Sequence, residues 1–153
     1  MVAAMATPPS ANEGSRFASD GDPAAVTGTV RWILRAEGAA SLFLCCVFYA
    51  LTGFGWGYFV LLFLVPDLSM LGYLSGPRAG SVAYNVAHTT ALPMVLGGVG
   101  FVLGIGLLPS MALIWAAHIG FDRMLGYGLK YPRGFGYTHL VRIGAARHDP
   151  SRT

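Results

Sequence analysis

The stretch Trp115-Ala-Ala-His118-Ile-Gly-Phe-Asp122-Arg123-Met-Leu-Gly-Tyr-Gly-Leu-Lys130-Tyr131-Pro132 changes character along its length. It begins as an apolar helix suited to a membrane and ends in cations and aromatic rings suited to an aqueous boundary. His118 and Asp122 lie one helical turn apart on one face, where a merely apolar span would carry neither. The rest of the chain must therefore supply a bilayer-sized hydrophobic body and partners for these two ionisable groups.

Composition supplies the body. Of 153 residues, 54% are hydrophobic and 11% charged, whereas a soluble domain carries about 25% charged residues. Too few polar side chains remain to cover a water-exposed surface, which excludes an ordinary soluble domain and points to a multi-pass protein of the lipid bilayer. The net charge of +3 lies at the flanks of the apolar runs, and no nucleic-acid partner is expected. Adjacent Cys45 and Cys46 read as two reduced, buried thiols, since neighbouring cysteines rarely meet disulfide geometry.

Four apolar runs follow one another at about 29–52, 56–74, 81–104 and 109–130, giving an expected all-α, antiparallel four-helix transmembrane bundle. Before them, residues 1–28 have no hydrophobic period and read as a disordered cytosolic tail. After them, residues 132–153 form a basic, aromatic cytosolic tail suited to lipid headgroups. Pro66 is expected to kink the second run beside Asp67, and Pro93 falls in the middle of the third. Gly97, Gly98, Gly100 and Gly104 make a thin face for close helix approach, with a homo-oligomer as one use. The segments 38–66 and 79–121 hold no Lys or Arg. By the positive-inside rule the basic flanks and the Arg78 loop face the cytoplasm, so both termini lie on the inner side of the plasma (bacterial inner) membrane.

That topology sets depth. At 1.5 Å per residue, Asp67, His88 and Asp122 each fall about 10–12 Å inside the cytoplasmic boundary, with His118 one turn deeper. Tyr84 shares a helix face with His88 by the same i,i+4 spacing. Ionisable groups in hydrocarbon are costly unless they face inward and find partners, so a cytoplasm-facing intramembrane pocket is expected. Two carboxylates and two imidazoles form a ligand set for a divalent metal, zinc or manganese, and are the candidate catalytic and metal-binding residues. Arg78, Arg123 and Lys130 at the rim are candidates for holding an anionic lipid headgroup, while Arg35 and Glu37 are expected to pair. Three functional readings stand side by side. One is a metal-dependent hydrolase at the inner leaflet. Another is a non-enzymatic, partner-binding membrane subunit whose polar cluster is structural, and the third an ion or proton carrier. Intramembrane polar contacts average only about 0.6 kcal/mol, which makes packing alone a weak reason for four such side chains.

Four blocks carry a resemblance: Leu34-Arg35-Ala36-Glu37-Gly38, Pro66-Asp67-Leu68-Ser69-Met70-Leu71-Gly72-Tyr73, Tyr84-Asn85-Val86-Ala87-His88-Thr89, and Ala117 through Pro132. Over about residues 31–144 the chain resembles a small bacterial membrane family known as domain of unknown function 4260. That resemblance implies a four-span membrane protein without an assigned activity. The order Pro66-Asp67, His88-Thr89, His118-Ile-Gly-Phe-Asp122 is also similar to membrane-bound, metal-dependent hydrolases regulated with the bacterial DNA-damage response. Ser69 stands where those proteins carry a second carboxylate, and His88 where they carry paired histidines.

Overall fold

The computed structural model describes residues 26, 28–132, 138 and 140. The expected tails, 1–28 and 132–153, lie almost wholly outside the described residues, as does His139. Among those described the chain is all helical: α1 (Gly28–Ala50), α2 (Trp56–Phe63), a 3₁₀ segment (Val65–Ser75), α3 (Pro77–Ala87), α4 (Ala91–Leu103) and α5 (Leu107–Leu125). One isolated antiparallel bridge joins Lys130 to Thr138.

Three helical stretches, Gly28–Ala50, Trp56–Ser75 and Pro77–Leu103, are long and apolar enough to cross a membrane. Their apolar side chains point outward: Leu74, Phe101 and Val102 are each more than three-quarters exposed. A soluble protein would not leave so continuous an apolar surface uncovered. The three stretches are the body of a membrane protein, with lipid as the solvent of that surface.

Helix α5 is the odd one. It buries Ser110, Ala112, Ile114, Ala117, His118, Ile119, Gly120 and Asp122 and packs against α1, α2 and α4, while the 3₁₀ segment packs against α3. Its most intimate neighbour is α1, through a reciprocal pair of glycines. A Cβ on Gly38 would meet Gly120 O at 2.8 Å and Met124 N at 2.7 Å; one on Gly120 would meet Gly38 O and Leu42 N, both at 2.8 Å. The backbones touch, and that contact turns the His118–Asp122 face of α5 away from α1. Of the predicted glycine face on α4, only part is used inside the fold. Gly100 lies against Leu108 and Pro109 and Gly97 near Ala112, whereas Gly98 and Gly104 have open space around them.

Two of the apolar stretches are broken. Leu64 separates α2 from the 3₁₀ segment, with Pro66 at the start of the latter, as the missing proline N–H requires. In the next stretch Pro93 is not where the helix fails. The break falls at His88–Thr90, so that Pro93 lies in the first turn of α4, where no intrahelical N–H bond is needed. Helix α5 ends at Gly126, whose φ of +96° allows Tyr127 N to donate to Asp122 O at 2.7 Å and Gly126 N to Arg123 O at 3.0 Å. This Schellman-type stop turns the chain back towards α3 before Lys130.

The Gly38–Gly120 contact predicts a contrast in thermal unfolding of the detergent-solubilised protein. Gly120→Ala should destabilise by about 1–3 kcal/mol, the usual cost of overpacking a tight contact, and Gly98→Ala should change stability by less than about 0.5 kcal/mol. Equal effects of the two would contradict the backbone contact.

Candidate metal centre

Three separate elements deliver the site. Asp67 comes from the first turn of the 3₁₀ segment, His88 is the residue at which α3 stops, and His118 and Asp122 come from α5. One ligand atom from each of the four lies within 4.8 Å of the other three. His88 Nε2 is 3.1 Å from His118 Nε2, 3.4 Å from Asp122 Oδ2 and 3.6 Å from Asp67 Oδ1. His118 Nε2 is 3.6 Å from Asp67 Oδ1 and 3.9 Å from Asp122 Oδ2. Ligands about 2.0–2.2 Å from a tetrahedral zinc stand roughly 3.3–3.6 Å from one another, so these edges enclose a volume of the right size for one ion.

The surroundings set which atoms point inward. His88 Nδ1 lies 2.8 Å from Tyr84 O. A carbonyl only accepts, so Nδ1 carries a proton and Nε2 is the nitrogen turned to the cluster, where a neutral ring would offer its lone pair. Metal-binding histidines are typically oriented by a hydrogen bond of this kind. The Tyr84 ring stacks on His88 at 3.7 Å between centroids, and its hydroxyl donates to Asp122 Oδ2 at 2.9 Å. One tyrosine therefore holds two of the four. His118 is positioned differently, by the edge of Phe63 at 5.2 Å between centroids; its Nδ1 is buried without a hydrogen-bond partner. Asp67 is the most accessible of the four, its side chain 40% exposed against 12% for Asp122.

Asp122 lies in the last turn of α5, where the helix dipole is unfavourable to an anion. Compensation comes from the Tyr84 hydroxyl and from Lys130. The Lys130 ammonium lies 4.6 Å over the Tyr84 ring and 5.9 Å from that of Tyr73. Its backbone is held by Asn85, which donates Nδ2 to Lys130 O at 2.9 Å and accepts from Lys130 N at 2.7 Å. Lys130 lies beyond the end of α5, and burial pushes its ammonium down to about 8, against an opposing pull from Asp122 and Asp67. Tyr73 in turn is seated on Gly80, where any Cβ would collide with its ring.

The four expected ligands come together, and two of the three expected rim cations lie near them. Lys130 approaches over the Tyr84 ring. Arg78 is exposed in the first turn of α3, ten residues or about 15 Å of helix from His88. Arg123 lines a small cavity with Tyr84, His88 and Asp122 and a larger one with Glu37, Gly38 and Ser41. The Arg35–Glu37 pair is absent among the described residues: Arg35 Nε donates to Met124 O at 2.8 Å and its guanidinium lies 4.9 Å over Trp32. A carbonyl at the α5 C-terminus outcompetes a neighbouring carboxylate on the same helix. Tyr84, Asn85 and Trp115 were not among the expected site residues, although the i,i+4 spacing of Tyr84 and His88 pointed to the first.

A family model described as a domain of unknown function, DUF4260, matches residues 31–143. The chain belongs to that family. No curated protein and no solved structure matches it, so the site's geometry carries whatever is said of its chemistry.

The Asn85–Lys130 clasp gives a direct test of how the segment after α5 is held. Asn85→Ala removes two hydrogen bonds worth about 0.5–1.5 kcal/mol each, and should lower stability and speed amide exchange at Lys130 while leaving exchange in α1 unchanged. Unaltered exchange at Lys130 would contradict the clasp.

Proposed function

We propose that this chain is a metal-dependent hydrolase embedded in the plasma membrane, using zinc or manganese at Asp67, His88, His118 and Asp122. The observation that carries the reading is the convergence of two imidazole nitrogens and two carboxylate oxygens from three elements, with His88 Nε2 turned inward. Two carboxylates drawn towards one small space are stabilised there when a cation joins them. Two carboxylates and a divalent ion sum to zero charge, the state that hydrocarbon tolerates best.

A bound ion would polarise a substrate oxygen and lower the pKa of a coordinated water. Catalytic zinc sites keep three protein ligands and one open position. His88, His118 and Asp122, all buried, would be the three that hold the ion. Asp67, accessible and placed where the second stretch is broken, would accept a proton from a water at the open position. Tyr84 keeps Asp122 and His88 in register. Lys130 supplies the positive charge that draws an anionic substrate.

The chain on this reading crosses the membrane four times, antiparallel, with α5 as the fourth span and both termini cytoplasmic. Supporting this, α5 has 19 residues, about 28 Å at 1.5 Å per residue, against a hydrocarbon core of about 30 Å. The clustering of Lys and Arg at the chain flanks and at Arg78 supports this orientation.

Metal analysis of the detergent-purified protein after loading with zinc or manganese tests the proposal. The wild type should hold about one ion per chain; Asp122→Asn and His88→Ala should each lose more than nine-tenths of it. Tyr84→Phe should keep the stoichiometry and weaken affinity about 10–100-fold, the usual effect of losing a group that orients a ligand. A folded wild type that retains no ion after loading overturns the proposal.

A further inference from the structure

The two helix breaks that deliver Asp67 and His88 also open a cleft. It has a volume of about 280 Å³ and its wall is almost wholly apolar, formed by Leu62, Val65, Pro66, Leu96, Met111 and Trp115. It adjoins the cluster on all three elements. Pro66 precedes Asp67, Ala87 in the cleft wall precedes His88, and Trp115 lies one turn before His118 on α5. Trp115 Nε1 donates to Ala87 O at 2.6 Å, satisfying a carbonyl released where α3 ends and fixing the indole in the cleft wall. Val65, at the outer wall, is about half exposed on the apolar surface. One polar side chain, Ser69, also lines the cleft, and its Oγ is buried without a hydrogen-bond partner.

We infer that this cleft holds one hydrocarbon chain of an anionic membrane phospholipid whose phosphoester reaches the Asp67–His88–His118–Asp122 cluster. The inference rests on the metal reading and adds the substrate class to it. A site for a small polar solute would have no use for an apolar cleft open to lipid beside its metal. A methylene displaces about as much volume as a water molecule, ~30 Å³, so the cleft takes a segment of roughly nine. Trp115 sets the boundary between chain and head, and Ser69 offers its hydroxyl to the ester region. Lys130, next to Tyr84, matches the charge of the phosphate. In the reaction a water oxygen forms a new P–O bond and the P–O bond to the leaving alcohol breaks. The water's proton passes to Asp67 and then to the departing alkoxide, giving a phosphate monoester or phosphate and an alcohol.

The probe is phosphatidic acid with a diazirine in mid-chain, carried in phosphatidylcholine nanodiscs with zinc-loaded protein; adducts are mapped by mass spectrometry. Adducts should concentrate on Leu96, Met111 and Leu62 over the outward-facing Phe101 and Val102 by at least about tenfold. Leu96→Trp, which fills the cleft, should abolish that preference, and Leu96→Ala should retain it; zinc stoichiometry is measured on every sample. Zinc bound at full stoichiometry with adducts spread evenly over the outer surface, or with a pattern unchanged by Leu96→Trp, overturns the lipid inference and leaves the metal site standing. Absence of zinc from folded wild type overturns the metal reading itself. The same diazirine on phosphatidylcholine should label the cleft more weakly; equal labelling overturns the anionic part of the assignment.

Discussion

Charge neutrality in a medium without water is the constraint on which the rest of this structure depends. A bare Asp122 carboxylate is costly in a low-dielectric interior unless something nearby is positive or donates to it, and the structure surrounds it with groups that answer that need in different ways. Tyr84 donates a hydrogen bond to Asp122, Lys130 stands just beyond the same ring, and two imidazoles present nitrogens to the space between the carboxylates. Two imidazole nitrogens and two carboxylate oxygens thus face one small space, 3.1–3.9 Å apart from ring to ring and from ring to carboxylate.

The backbone is arranged in service of that convergence. An unbroken helix could bring Asp67 or His88 near α5, but their side chains would be confined to the helical stripe that also faces lipid. Breaking the second stretch at Leu64 and the third at His88–Thr90 frees both residues to turn inward, and irregular backbone at membrane depth is tolerated where it is buried in protein or lines a cavity. The indole of Trp115 repairs one of the exposed carbonyls. Against these two interrupted elements, α5 stays continuous and is pinned to α1 by Gly38 and Gly120. The rigid partner carries two of the four candidate ligands and the broken partners one each.

Much of this was legible in the sequence for a physical reason: depth in a membrane helix scales with residue number. Asp67, His88 and Asp122 could be assigned to one layer from spacing and the placement of basic residues, and His118 joined them by helical period. Proline chemistry likewise located the Pro66 break. What spacing does not give is rotation about each helix. Arg78 is exposed far from His88, and Arg35 reaches the end of α5 in preference to Glu37 because tertiary contact decides among local partners. The break at His88 carried no proline to announce it. Gly126 and Gly128 were the signal that α5 stops before Lys130, and the apolar run around them masked it. Asn85 was invisible because its task is to bind backbone, which no side-chain motif encodes.

X-ray absorption at the zinc K-edge of the loaded, detergent-purified protein tests the central claim most directly. The account predicts a first shell of about four nitrogen and oxygen atoms at 2.0–2.2 Å, with the multiple-scattering signature of two imidazoles that falls to one in His118→Ala. A shell of oxygens alone, or a spectrum indifferent to His88 and His118, would contradict it.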